Sequence, residues 1–400
     1  MRLLRNPELR GILVLVLVIL VIGAALAAVT GRLEMWFNIP WLSGPRLTDS
    51  IVFVSGPPDS GDLWVMGTDG SDRRRLTTGA KVLGAPAVSA AGNRIAFVGV
   101  GESQSQVLST GAAGGEPSAL TAGGVPKRKP GYSPDGRRLS YIAAGKVYVA
   151  DLDGGNPSPV LPTREELHAT VMSRSKIPTY SDYAWGPDSR SMAAVTRDAE
   201  GSDSLTYLAD LRGEALSLAS AALDAEGKGV VVILPEPDSQ PVALMPLEPA
   251  DRLRIEGLGW ASDQPLLAAV LVAGENSVAL VFDAGQKQIR PVFAIQKQKL
   301  GALAVSPDGG QAMVCLASAD PDRPGGLLRL DLESGEAALI ARGVFDHPCY
   351  SPDGSEVLVT IIEGAKRDVA AIDVSSGDVR RLTNDGGSSH AVWSPMSGQR

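Results

Sequence analysis

Cysteine, histidine and aromatic residues are all scarce in this chain: 2 Cys, 3 His and 5% Phe, Trp and Tyr in 400 residues. Two cysteines cannot staple a chain of this length, so its stability must come from an apolar core. Cys315 and Cys349 are then either one bridge or two buried free thiols. Three histidines, His168, His347 and His390, leave few general bases and few metal ligands. Basic charge is also in short supply. With 37 Lys and Arg against 45 Asp and Glu the net charge is -8, so the concentrated basic face that nucleic acid requires is missing. The one basic run, Arg73-Arg74-Arg75, reads as an outer strand in solvent. No Gly-x-Ser-x-Gly elbow occurs, and no residues remain to build the hydrolase domain that would carry it. No Asp or Glu pair signals glycosidic chemistry, and no cofactor site is read.

One long apolar run is present. From Ile12 to Val29 every position is apolar or glycine. As a helix this run spans roughly 27 Å at about 1.5 Å per residue, close to the thickness of a bilayer core. A lone segment in lipid must satisfy its own backbone, which selects a helix over a strand. Arg2, Arg5 and Arg10 precede it, which places the N-terminus in the cytoplasm. The expected organisation is a cytoplasmic tail at 1–10, a signal-anchor helix at 11–30, a juxtamembrane linker at 31–50 and a folded extracytoplasmic part at 51–400. Trp36, Phe37 and Trp41 suit the far interface. The alternative is a cleaved signal peptide and a secreted protein, because Ala25-Leu26-Ala27 offers small residues for cleavage.

The rest of the chain repeats. Ser133-Pro134-Asp135-Gly136, Ser306-Pro307-Asp308-Gly309 and Ser351-Pro352-Asp353-Gly354 are the clear copies of a turn motif. Degenerate copies stand at Ser89, Gly186, Ala261 and Ser394, with a weak one near Asp224. Pro fixes φ and Gly tolerates positive φ, as a tight turn demands, and the Asp can bond its own downstream amides. Each turn follows a short strand. It is followed by an apolar strand, an alternating strand that often ends in Asp, and a short polar strand. Falling apolarity along the unit fits a blade that runs from centre to rim. Eight third strands are counted at a mean spacing of about 44 residues, near the length of a four-stranded propeller blade. The expectation is one all-β propeller of eight blades, with seven as the alternative, since the unit from Leu211 to Gly257 lacks a clear first turn. The folded part opens at Ile51 on a second-strand sequence and closes at Ala391-Val392-Trp393 on a first-strand sequence. Pairing the two ends would close the ring.

The Tyr/Trp-Ser-Pro-Asp-Gly turns and the strands after them resemble the TolB-type, WD-repeat-like propeller family over residues 51 to 400. The resemblance implies the fold but not one function. The family includes periplasmic interaction proteins, propellers attached to serine peptidases and lyases with a histidine-based metal site.

Within that fold, the residue four before each turn anchor begins the innermost strand and should face the mouth of the central channel. Those positions are Ala85, Lys129, Asp182, Gly257, Ala302, His347 and His390, a ring with four polar members. The connection from Pro162 to Asp182 exceeds its counterparts by about 15 residues and joins the same face; long loops on rigid scaffolds are where binding tends to reside. The candidate binding face is therefore Lys129, Arg164, His168, Arg174, Tyr180, Asp182, His347 and His390. Loops 198–204 and 318–326 should lie there too. The expected function is a membrane-anchored, non-catalytic protein- or peptide-binding module. The alternative is a propeller that binds cell-envelope polysaccharide or cleaves it as a metal-dependent lyase.

Overall fold

The computed structural model describes residues 45–57, 60–100, 104–173, 176–234, 239–317 and 325–397. The apolar run from Ile12 to Val29, Arg174 and most of loop 318–326 lie outside these residues. Among the described residues no helix is long and apolar enough to cross a membrane.

The chain is a β-propeller of seven blades, not eight. Blade 1 combines β1 (Ser50–Ser55), β2 (Asp62–Gly67) and β3 (Arg74–Arg75) with the last strand of the chain, β30 (Ser388–Trp393). Blade 2 is β4 (Val82–Val88) to β7 (Ser118–Ala119), and blade 3 is β8 (Lys127–Tyr132), β9 (Arg138–Ala143), β10 (Lys146–Asp151) and β11 (Ser158–Leu161). Blade 4 runs from β12 (Thr179–Trp185) to β17 (Val242–Pro246). Blades 5, 6 and 7 are β18–β21 (254–296), β22–β25 (299–342) and β26–β29 (345–381).

The missing blade is explained by blade 4. The expected eighth unit does contain strands, β15 (Ala215–Leu223), β16 (Gly229–Ile233) and β17, but β15 pairs with β14 (Asp203–Leu208) and the other two follow it outward. The result is one six-stranded sheet beside six four-stranded ones. This unit has no first strand ending in a Ser-Pro-Asp-Gly turn, so it cannot contribute to the central ring. Its apolar residues Val231 and Ile233 instead join Leu218 in a cluster with Leu267, Leu280 and Phe282 of blade 5. Burying side chains of this size stabilises by roughly 1.5–3 kcal/mol each, enough to hold added strands on a blade edge.

The ring closes as its two ends imply. β30 pairs antiparallel with β1, Ile51 facing Trp393 and Val52 facing Val392. The Ser50 N–H donates to Ser394 Oγ at 2.9 Å, and the Ser394 N–H donates to the Ser50 carbonyl at 2.9 Å. No open edge is left at the join.

The turn aspartates are structural. Ser133, Ser306 and Ser351 each donate to the Asp two residues on at 2.6 Å, and each Ser oxygen accepts the N–H that opens the next strand at 2.9–3.0 Å. Gly136, Gly309 and Gly354 hold φ of 65°, 75° and 75°, where a side chain would strain the turn. The Ser hydroxyls hold the Asp308 and Asp353 carboxyls below the usual carboxylate range.

A second repeated device ties the opposite end of some blades. Asp62 opens β2 and accepts Thr77 Oγ1 at 3.0 Å and the Ala80 N–H at 2.9 Å. Asp368, near the start of the third strand of blade 7, accepts Thr383 Oγ1 at 3.0 Å and the N–H groups of Asp385 and Gly386 at 3.0 and 3.1 Å. Each buried carboxylate thereby fixes the connection that leads into the next innermost strand.

Candidate functional site

The first strands of the blades contact one another around the ring and line its centre. Each is interrupted near its start. In β8, β26 (Phe345–Tyr350) and β30 the pairing register shifts there, the mark of a β-bulge. The bulged residues are Lys129, His347 and His390, and their φ angles are 48°, 50° and 54°. Left-handed backbone disfavours residues with a Cβ by roughly 1–2 kcal/mol, so on these three equivalent strands polar side chains occupy a conformation that favours glycine.

The structure brings the four polar ring positions together as two pairs. Lys129 Nζ makes an ion pair with Asp182 Oδ1 across blades 3 and 4. His347 and His390 face each other across blades 7 and 1, ring centroids 4.0 Å apart and tilted by 42°. Neighbouring groups position both pairs. Tyr183 donates its hydroxyl to the Lys129 carbonyl at 2.8 Å and meets Ser140 Oγ at 2.8 Å, while Asp182 Oδ1 accepts the Tyr183 N–H at 2.7 Å. Ser389 Oγ lies 2.8 Å from His390 Nδ1, and the Thr360 hydroxyl accepts the His390 N–H at 3.2 Å. Asp346 Oδ2 stands 3.5 Å from His347 Nε2.

The electrostatics follow from the channel wall. Lys129 retains 42% of its side-chain surface, yet the surrounding protein desolvates the ammonium and lowers its pKa to about 8. Desolvation, with His347 beside it, lowers His390 to about 4. His347 is lowered by desolvation against the pull of Asp346, and the charges of Arg367 and Lys129 add to the lowering. Lys129 is thus close enough to be felt by His347. Both imidazoles are neutral at pH 7 and offer one donor and one acceptor each.

Beside His390 a cavity of about 370 Å³ opens between the loops of blades 7 and 1. Arg367, Asp385 and Ser389 bring polar groups to it, and Gly56, Gly386 and Gly387 leave backbone accessible. Its walls are knit together: Gly56 N–H donates to the Gly387 carbonyl at 3.0 Å and Arg367 N–H to the Gly386 carbonyl at 3.1 Å. Among the described residues no three His, Cys, Asp or Glu side chains are grouped to hold a metal ion.

The long connection is not a plain loop. It contains a helix, α1 (Arg164–Ser173). Thr163 caps it, its Oγ1 accepting the Glu166 N–H at 3.2 Å while Glu166 Oε2 accepts the Thr163 N–H at 2.7 Å, a reciprocal capping box. Tyr180 is fully buried and donates its hydroxyl to Glu166 Oε1 at 2.8 Å. It holds α1 in place and presents no surface to a partner. His168 is exposed on α1. Arg164 is exposed but lines a groove on the outer side of blades 3 and 4, away from the paired residues.

Asp346, Arg367 and Asp385 belong to the mouth and were not apparent from the repeat. Asp346 precedes the ring position by one residue, Arg367 lies at the start of the third strand of blade 7, and Asp385 lies on the connection into β30; the approach of the last two to the mouth depends on blade geometry. Cys315 and Cys349 are both free. Burial, and then the charge of Asp346, pushes the Cys315 thiol up to about 12.

No protein-family model matches the sequence, and no curated protein matches it. Solved structures do. A puromycin-hydrolyzing peptidase of Mycobacterium tuberculosis aligns with a TM-score of 0.55 at 12% identity, over 84% of this chain and 52% of the peptidase. The dihydro-heme d1 dehydrogenase NirN aligns at 0.50 and 15% identity, over 86% and 74%. TolB from Acinetobacter baumannii aligns at 0.45 and 13% identity, over 87% and 83%. The likeness is one of fold. This chain shares its fold with parts of the peptidase and of NirN, and it spans about half the length of the peptidase. A shared propeller leaves the activity to be argued from the site itself.

Proposed function

We propose that this chain is a membrane-anchored extracytoplasmic propeller that binds a protein or peptide at its channel mouth and catalyses nothing there. The observation that supports this reading is the left-handed backbone at Lys129, His347 and His390. Folding alone does not require strained, polar, half-exposed residues at equivalent positions, whereas a binding site gains from fixed donors and acceptors. Lys129 and Asp182 supply charge of both signs, and the neutral imidazoles supply hydrogen bonds suited to a peptide backbone. The apolar run from Ile12 to Val29 would tether the propeller and keep this face near other envelope components.

The test is in-cell crosslinking followed by affinity purification, comparing the parent with His390→Ala and Asp182→Ala. The reading expects a partner recovered with the parent and depleted at least about tenfold with either variant, roughly the loss of one well-made polar contact. Equal recovery from all three proteins would reject it.

A further inference from the structure

Blades 3 and 4 are joined by side-chain hydrogen bonds on their inner side and part on their outer side. Near the channel, Arg128 donates to the Tyr180 carbonyl at 2.9 Å, and Trp185 Nε1 donates to Ser140 Oγ at 2.7 Å. Toward the rim the two blades enclose a groove of about 1350 Å³. Four arginines line it: Arg138, Arg164, Arg190 and Arg212. None of their guanidinium groups makes a hydrogen bond or ion pair among the described residues, although arginines elsewhere in the ring do. One blade earlier, Arg94 occupies the place equivalent to Arg138, five residues after its turn anchor. It staples blade 2 to blade 3 by donating to the Leu152 carbonyl at 3.2 Å. The matching acceptor for Arg138 would be Leu211, which lines the groove instead. Arg290 and Arg329 make staples of the same kind to Leu332 and Val374.

The groove therefore holds four cations whose donors are not taken up by the described protein, in a chain of net charge -8. Of its carboxylates, Asp210 accepts the Arg212 N–H at 2.9 Å and Asp151 accepts Asn156 Nδ2 at 2.7 Å. The arginine guanidinium groups make no such bond, and Asp188, next to Arg190 in the turn, reaches it only through its charge. Between them lie apolar side chains, Val149, Val160, Leu167 and Leu211, and the lining contains no aromatic residue on which a sugar ring could stack.

We propose that this groove is a second binding site, for an acidic peptide segment whose carboxylates alternate with aliphatic residues. Arg fits this task because its planar guanidinium can take a carboxylate through two parallel hydrogen bonds. The groove's three carboxylates, Asp151, Glu165 and Asp210, disfavour a uniformly dense polyanion and favour spaced negative charge. The aliphatic stretches between the arginines receive the apolar side chains.

The test uses the full chain in non-ionic detergent and a labelled synthetic peptide that alternates glutamate with leucine, with fluorescence anisotropy as the readout. A peptide alternating lysine with leucine and the polyanion dextran sulfate serve as comparison ligands. Binding of the acidic peptide should weaken with salt. It should fall by about tenfold or more in Arg138→Gln/Arg190→Gln, the scale of a lost charge-assisted pair. Arg137→Gln removes the same charge from an exposed neighbour outside the groove and should leave binding unchanged. Circular dichroism melting confirms that each variant is folded. Absence of binding by the parent overturns the proposal. So does equal binding of the lysine peptide, tighter binding of dextran sulfate, or equal loss from Arg137→Gln and the paired variant.

Discussion

The imidazoles of His347 and His390 lie 4.0 Å apart on neighbouring blades, and each belongs to a residue with left-handed backbone. Their proximity suits the neutral state, since two imidazolium ions at that distance would repel. The folded pKa of His390, about 4, lies below the ordinary value of 6.5. As pH falls below that ordinary value the unfolded chain takes up a proton that the folded chain refuses, so stability falls progressively toward pH 4. Thermal melting at pH 7 and pH 5 should show a drop that His390→Gln reduces. The imidazole signals in NMR should show His390 still neutral at pH 5.

Asp62 is a buried anchor for the connection between blades 1 and 2. Asp62→Ala leaves Thr77 Oγ1 and the Ala80 N–H without their acceptor. It should cost about 2–4 kcal/mol, the range for breaking a buried polar network. Urea unfolding measures this directly. A change within about 0.5 kcal/mol, as for an ordinary surface site, would refute the anchoring role.

Tyr180 ties α1 to the blade through one hydroxyl. Tyr180→Phe keeps the packed ring and removes the bond to Glu166, so the expected loss is local and about 1–2 kcal/mol. Hydrogen exchange should accelerate in α1 while the strands of blade 4 keep their protection. Unchanged protection of α1 would show that the helix is held by other means.

The ring is closed by β30 against β1. Removing residues 388–400 exposes the β1 edge along its whole length, and exposed edges invite pairing with other chains. The truncated protein should unfold less cooperatively and elute in part as oligomers in size-exclusion chromatography. A monomer with the parent's melting profile would contradict the closure.

Much of this architecture was legible in the sequence, because the Ser-Pro-Asp-Gly turns and Val/Ile-rich strands recur in register. The seven first strands end at or near the turn anchors, and Lys129, Asp182, His347 and His390 fall near their starts as the repeat implied. The blade count was misread for a physical reason. β15, β16 and β17 have the composition of blade strands, and only the missing first turn and their burial against Leu267 and Phe282 show that they extend blade 4. Helix α1 carried a readable Thr163-x-x-Glu166 cap, yet its length and weak amphipathicity made it easy to take for a loop. The outer groove could not be read, since it depends on a staple that Arg94 makes and Arg138 does not.

The most direct test of the channel-mouth account is site-specific photocrosslinking in cells. A photoreactive residue is placed at Ala365, exposed on the wall of the mouth cavity, and in a second protein at Glu333, on the turns of the opposite face. The account predicts a discrete adduct from position 365 that disappears when Lys129→Ala and His390→Ala are added, and no matching adduct from position 333. An adduct from position 333 alone, or one from position 365 that persists in the doubly substituted protein, would contradict it.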